Sequence, residues 1–241
     1  MPEPLLTLEG VHTHIAQYHI LQGVDLAVPA GGVAVMLGRN GAGKTTTLRT
    51  IMGLWSASSG RIRFDGTDIT GLDTPAIARL GIAYVPESMG IFTDLTVREN
   101  MVLAASSGPM EDGRVDWIFS LFPPLKTFWS MPAGNLSGGQ KQMLSVARAV
   151  IEPRRLILID EPTKGLAPAI IKAMTAALAE LAKTDTTILL VEQNFSMAKS
   201  VGQSVSVMDD GRIVHSGAMA ELAADADMQE RLMGLSLEAH Q

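Results

Sequence analysis

The apolar run Val33–Leu37 leads directly into Gly38-Arg39-Asn40-Gly41-Ala42-Gly43-Lys44-Thr45-Thr46, and a helical pattern begins there. The string meets G-x-x-x-x-G-K-[ST] at each fixed position, in the strand–turn–helix setting that gives the motif its meaning. Gly38, Gly41 and Gly43 let successive backbone N–H groups curl around phosphate oxygens with no Cβ in the way. The helix starting near Gly43 turns its positive N-terminal end toward the same anion. Lys44 is placed to reach β- and γ-phosphates and Thr45 to offer a hydroxyl to Mg²⁺, while Asn40 and Thr46 count with the loop as nucleotide-binding positions. A chance glycine-rich turn is the alternative, and the strand and helix flanks argue against it.

A second run, Leu156-Ile157-Leu158-Ile159, ends in Asp160-Glu161. Carboxylates at the end of a buried strand lie where an open α/β sheet presents its ligand-binding groups. Asp160 is expected to hold the hydration shell of Mg²⁺, and Glu161 to orient and polarise an attacking water as general base. Alone, such a pair is more often a solvated loop; beside a phosphate loop it reads as the second half of one site. Kinases, GTPases and helicases share both elements, so these two motifs leave the function class open.

Short β-type runs alternate with helical patterns along much of the chain, which points to an α/β fold with a mostly parallel sheet. Residues 4–37 depart from this, because Leu5–Leu8, Ile20–Val28 and Val33–Leu37 follow one another with no helix between them; an antiparallel β layer is expected at the N-terminal side. A helix is expected from about Gly43 to Leu54, followed by turn-rich sequence with Gly60, Gly66 and Gly71. From about Glu87 to Glu152 strand signals vanish, and helical stretches appear near Val97–Ser106, Val115–Leu121 and Gly139–Ile151, the last two separated by Pro123-Pro124 and Pro132. Strands return at Leu156–Ile159, Thr187–Val191, Ser204–Met208 and Arg212–His215. Between them Pro168–Ala182 reads as a helix with Ile170, Met174, Ala177, Leu178 and Leu181 on its core face. A short helical tail is expected after Ala218. The division that follows is 1–86 with 153–241 as catalytic α/β core, and 87–152 as an inserted α-helical subdomain.

With 46% hydrophobic and 18% charged residues in 241, the chain can bury a large core, and disorder is not the default. A net charge of −6 without dense Lys/Arg runs argues against a nucleic-acid partner. The absence of cysteine excludes disulfides and thiolate metal sites. Met1-Pro2-Glu3-Pro4 is not followed by the apolar stretch of a signal peptide, and no run reaches the length of a membrane span. A cytoplasmic chain with no transmembrane segment of its own is therefore expected.

Leu136-Ser137-Gly138-Gly139-Gln140 lies about twenty residues before Asp160 and narrows the field. Ser137 and two glycines at a helix start form a further anion-binding N-terminus, or in the plainer reading a helix cap. L-S-G-G-Q in this order with the other two motifs resembles the ABC ATPases, over nearly the whole chain. The resemblance implies a P-loop NTPase (RecA-like) core, ATP with Mg²⁺, and a head-to-tail pair of cassettes in which Ser137, Gly138, Gly139 and Gln140 close over ATP held by the partner. Tyr18 stands where the family stacks an aromatic ring on adenine.

Three positions depart from the general family pattern: Glu87 replaces the usual glutamine, Gln193 the switch histidine and Ala167 an aspartate. Gln193 can still donate an amide hydrogen bond to a γ-phosphate but cannot become a cation. Glu87 is expected either to approach Mg²⁺ or to contact a permease. With Val85-Pro86-Glu87, Leu166-Ala167-Pro168 and Val191-Glu192-Gln193-Asn194, the chain resembles ATPase subunits of branched-chain amino acid importers, of the LivF type. That resemblance implies permease partners, a second ATPase subunit (a related chain or a second copy), an indirectly coupled periplasmic solute-binding protein, and a place on the cytoplasmic face of the inner membrane. Import of urea, amides or other small polar solutes, export of lipid or polysaccharide, and a soluble non-transport ABC ATPase are the competing readings.

Overall fold

The computed structural model describes residues 4–106 and 108–233. Strands β1 (Leu6–Ile15) and β2 (Tyr18–Val28) form an antiparallel hairpin, and β3 (Val33–Leu37) follows without a helix between. Next come α1 (Lys44–Ile51), β4 (Ala57–Phe64), the short β5 (Thr67–Asp68), α2 (Thr74–Arg79) and β6 (Ile82–Val85). Helices α3 (Val97–Ala104), α4 (Asp112–Leu121), α5 (Pro123–Thr127) and α6 (Gly138–Ala149) then follow, with no strand between them among the described residues. The chain continues through β7 (Leu156–Asp160), α7 (Pro168–Leu181), β8 (Thr187–Glu192), α8 (Phe195–Val201), β9 (Ser204–Asp209), β10 (Arg212–Ala218), α9 (Met219–Ala224) and α10 (Ala226–Met233).

Two sheets result. The first has the order β2-β1-β4-β5 and is antiparallel throughout. The second has the order β10-β9-β3-β8-β7-β6, parallel from β9 to β6 with β10 antiparallel at one edge. This is the α/β fold with an N-terminal antiparallel layer that the sequence led one to expect.

The central strands are apolar at successive positions because both of their faces are covered. In β3, Val33, Val35 and Leu37 join the core built with α6, α7 and α8, whereas Ala34 and Met36 join the core shared with β1, β2, β4 and α1. β7 divides likewise, Ile157 and Ile159 to the helical side and Leu156 and Leu158 to the other. The period of two along each strand thus fastens one sheet between two layers.

Three expectations change, and the expected tail after Ala218 is helical. Residues 57–64, read as turn-rich, form β4: only Ile62 and Phe64 of that strand are buried, and pairing with β1 rather than its own sequence pattern holds the rest. At Gly60 (φ 88°) a Cβ would lie 2.3 Å from the Gly10 carbonyl oxygen, so the glycine marks close strand approach and not a turn. Pro123-Pro124, read as a separator, opens the short α5, where proline suits a first helical turn. Helix α1 ends at Ile51 rather than Leu54. The tail forms two helices, and its last eight residues, like Met1-Pro2-Glu3, lie outside the described residues.

Phe122 is fully buried between α4 and α5 within the helical-side core. Phe122→Ala is expected to lower stability by about 3–5 kcal/mol, read from the midpoint shift in chemical denaturation.

Candidate active site

Strands β3, β8 and β7 are adjacent and parallel, so their carboxyl ends open on one side of the sheet. The first continues into residues 38–43, the second into Gln193 and the third ends at Asp160 with Glu161 next. At Gly38 (φ 157°) a Cβ would stand 2.3 Å from the backbone oxygen of Met208, so no larger residue fits beside β9. Gly43 caps α1 at φ 109° with no side-chain hydrogen bond, leaving the helix N-terminus to another acceptor. The loop borders a cavity of about 330 Å³ whose lining includes Asn40, Gly41, Gly43, Lys44, Thr45 and Thr46. Glu87, Glu161, Lys164 and Ile20 line it as well.

Lys44 is buried, and its Nζ donates to the carbonyl oxygens of Gly38 at 2.8 Å and Arg39 at 3.0 Å. It also lies 3.4 Å from Glu161 Oε1. The Thr45 hydroxyl donates to Asp160 Oδ1 at 3.1 Å, and the Tyr84 hydroxyl donates to Oδ2 at 3.2 Å. Burial raises the Asp160 pKa, against the lowering effect of these two hydrogen bonds. Burial and the neighbouring Asp160 push the Tyr84 phenol up to about 12, so it stays a donor.

Glu161 is a non-glycine residue at φ 47° and is 8% exposed. Left-handed backbone costs an ordinary residue about 1–2 kcal/mol, and such strain gathers at functional sites. The amide of Gln193 donates to Glu161 Oε1 at 2.6 Å and to Asn40 Oδ1 at 2.5 Å, bridging the phosphate loop and the acidic pair. Burial alone would raise the Glu161 pKa, but the Gln193 hydrogen bond and the Lys44 and Lys164 ammonium groups outweigh it. The carboxylate is held below its ordinary range and stays ionised, as a proton acceptor must.

Three positions escaped the sequence reading. Tyr84 reaches Asp160 only through the β6–β7 register, which no local pattern reveals. Lys164 bonds Glu87 Oε1 at 2.7 Å and stands 3.3 Å from Glu161 Oε2; its place three residues after Glu161 was the available signal. Buried Glu192 accepts from Thr163 Oγ1 at 2.6 Å and Thr163 N at 3.1 Å, and also from the amides of Gln193 at 3.0 Å and Asn194 at 3.2 Å. It fastens the loop after β7 to the end of β8, with enough donors to offset its burial.

The expected residues do not all meet. Glu87 lines the cavity, but its carboxylate is committed to Lys164. Tyr18, 63% exposed at the start of β2, is not among the lining residues; Ile20 is. Ser137, Gly138, Gly139 and Gln140, at the start of α6, are not among the lining residues either. There Ser137 Oγ accepts from the Gln140 amide N–H while Gln140 Oε1 accepts from the Ser137 amide N–H, a capping box.

The family model described as ABC transporter matches residues 21–164, more than half of the chain. The chain belongs to the ABC transporter ATP-binding family. This cassette is 36% identical over 232 residues to the high-affinity branched-chain amino acid transport ATP-binding protein BraG of Pseudomonas aeruginosa, spanning 95% of the chain and 100% of that protein. It is 34% identical to the probable branched-chain amino acid transport ATP-binding protein LivF of Archaeoglobus fulgidus, across 91% and 94% of the two chains. A crystal structure of the ADP conformation of an ATP-binding cassette of an ABC transporter superposes with a TM-score of 0.80 at 25% identity, covering 96% of this chain and 99% of that one. As a member, the cassette binds nucleotide, and its family couples ATP hydrolysis to transport, dimerises and works with transmembrane permease subunits. Among the described residues no helix is long and apolar enough to cross a membrane.

Gly38→Ala is expected to weaken ATP binding at least about tenfold, because the methyl group meets the backbone oxygen of Met208 in β9 and the loop must shift to relieve the contact. Equilibrium titration with a fluorescent ATP analogue measures this.

Proposed function

We propose that this cassette is the ATP-binding and ATP-hydrolysing subunit of an importer for branched-chain or related amino acids. One observation carries the catalytic half: a buried Glu161 carboxylate on left-handed backbone, 2.6 Å from the Gln193 amide and 3.4 Å from the lysine of the phosphate loop. The amino-acid half rests on BraG and LivF, which this chain matches over nearly their full length.

The residues fit Mg²⁺. The Thr45 hydroxyl and the Asp160 carboxylate present hard oxygens 3.1 Å apart beside a phosphate loop, a donor set of the kind Mg²⁺ uses when nucleotide phosphates complete its shell. When bound, the ion neutralises charge on the β- and γ-phosphates. Lys44 exchanges its loop carbonyls for phosphate oxygens, and the N-terminal amides of α1 hold the anion. Gln193 donates to the γ-phosphate and keeps Glu161 in place. Glu161 takes a proton from the attacking water. Residues Ser137–Gln140 serve the ATP of a second cassette, which agrees with their not lining the cavity of their own chain.

Closure of the pair pulls on the permease through a groove of about 430 Å³ lined by Leu54, Tyr84, Pro86, Met89 and Arg148, the last with its guanidinium 5.3 Å from the ring centroid of exposed Phe92. Differential affinity of the closed pair for ATP then shifts the permease between its two states. In this reading the cassette sits on the cytoplasmic face of the inner membrane, beside a second ATPase chain, with a periplasmic binding protein supplying the solute. One relative favours an exporter: the Nod factor export ATP-binding protein I of Paraburkholderia xenovorans, 31% identical across 93% of this chain and 74% of that protein.

Glu161→Gln keeps the shape and removes the base. It is expected to lower ATP turnover at least about a hundredfold while stabilising an ATP-bound dimer, read by phosphate release and size-exclusion chromatography. Unchanged turnover contradicts the role of Glu161.

A further inference from the structure

Lys164 belongs to none of the three motifs. The turn Glu161-Pro162-Thr163-Lys164, closed by the Lys164 N–H on the Glu161 carbonyl at 3.2 Å, folds the lysine back over the glutamate. Its Nζ lies 2.7 Å from Glu87 Oε1 and 3.3 Å from Glu161 Oε2. The Glu161 carboxylate is therefore held from two sides: Oε1 by Gln193 at 2.6 Å and Lys44 at 3.4 Å, Oε2 by Lys164.

The two sides differ in what nucleotide does to them. Lys44 is the lysine of the phosphate loop, so phosphate draws it from Glu161 and leaves Lys164 as the neighbouring cation. Lys164 has a long flexible stem and is half-exposed, and Glu87 ties down its head. Glu87 and Glu161 both line the cavity that receives a triphosphate, and once phosphate has claimed Lys44 the ammonium of Lys164 is the side-chain cation beside both carboxylates.

We propose that Lys164 is a positioning residue for the ATPase reaction: anchored by Glu87, its ammonium holds Oε2 of Glu161 and aims the carboxylate once phosphate has claimed Lys44. The inference rests on the ATPase reading of the site.

The test uses the ATPase purified with its companion subunits, as wild type, Lys164→Met and Lys164→Arg. Because an exposed pair is screened by solvent, the expected effect is moderate. Lys164→Met lowers kcat about fivefold with KM for ATP and the affinity for a fluorescent ATP analogue within about twofold, and Lys164→Arg restores most of the loss. Without nucleotide, carbodiimide coupling followed by mass spectrometry joins Lys164 to Glu87 in the wild type. An unchanged kcat in Lys164→Met, a loss carried by KM instead, or no cross-link to Glu87 overturns the role of Lys164 and leaves the ATPase reading standing. A wild-type complex that hydrolyses no ATP overturns both.

Discussion

The site depends on three parallel strands lying side by side. β8 separates β3 from β7, and the loops leaving all three converge: Thr45 reaches Asp160 at 3.1 Å, and Gln193 spans from Asn40 to Glu161. Parallel pairing makes this convergence unavoidable, because every strand ends on the same side. It also requires that both faces of the sheet be buried. The helices α6, α7 and α8 cover one face and the N-terminal β layer with α1 covers the other, so most of the molecule serves to hold three loop ends in register.

The convergence concentrates charge where water is scarce. Lys44, Asp160, Glu161 and Glu192 are all buried, and a buried charge is costly unless paired and hydrogen-bonded. Each has partners. Lys44 has two carbonyls and a carboxylate, Asp160 two hydroxyls, Glu192 a hydroxyl and three backbone amides, and Glu161 an amide with two nearby ammonium groups. Part of that network answers to phosphate. The carbonyl oxygens that hold Lys44 belong to the phosphate loop itself, so an arriving anion competes with the loop for its own lysine. Stability is given up locally, most visibly in the left-handed backbone of Glu161, in exchange for groups already aimed at a substrate.

What could be read without coordinates followed from local physics. Gly38, Gly43 and Lys44 announce themselves because a phosphate loop needs glycine and an ammonium at fixed spacing, and β3, β7 and β8 because a strand buried on both faces is apolar at every step. Strand β4 was hidden since neighbours, not its own residues, keep Ala57–Arg61 extended. Tyr84 was hidden for a similar reason: its contact with Asp160 is a property of register between strands far apart in sequence. Lys164 and Glu192 were within sight of the motifs, yet their partners lie across the cavity and across the loop. Tyr18 illustrates the reverse, a residue named by family position that lies in the open at a strand end, while Ile20 borders the cavity.

The claim that this cassette powers a membrane importer is tested most directly by its companions. The chain, tagged in its native host and purified gently from detergent-solubilised membranes, should bring down two permease-like chains and a second ATPase, identified by mass. A soluble homodimer with no membrane partner would contradict the transport account.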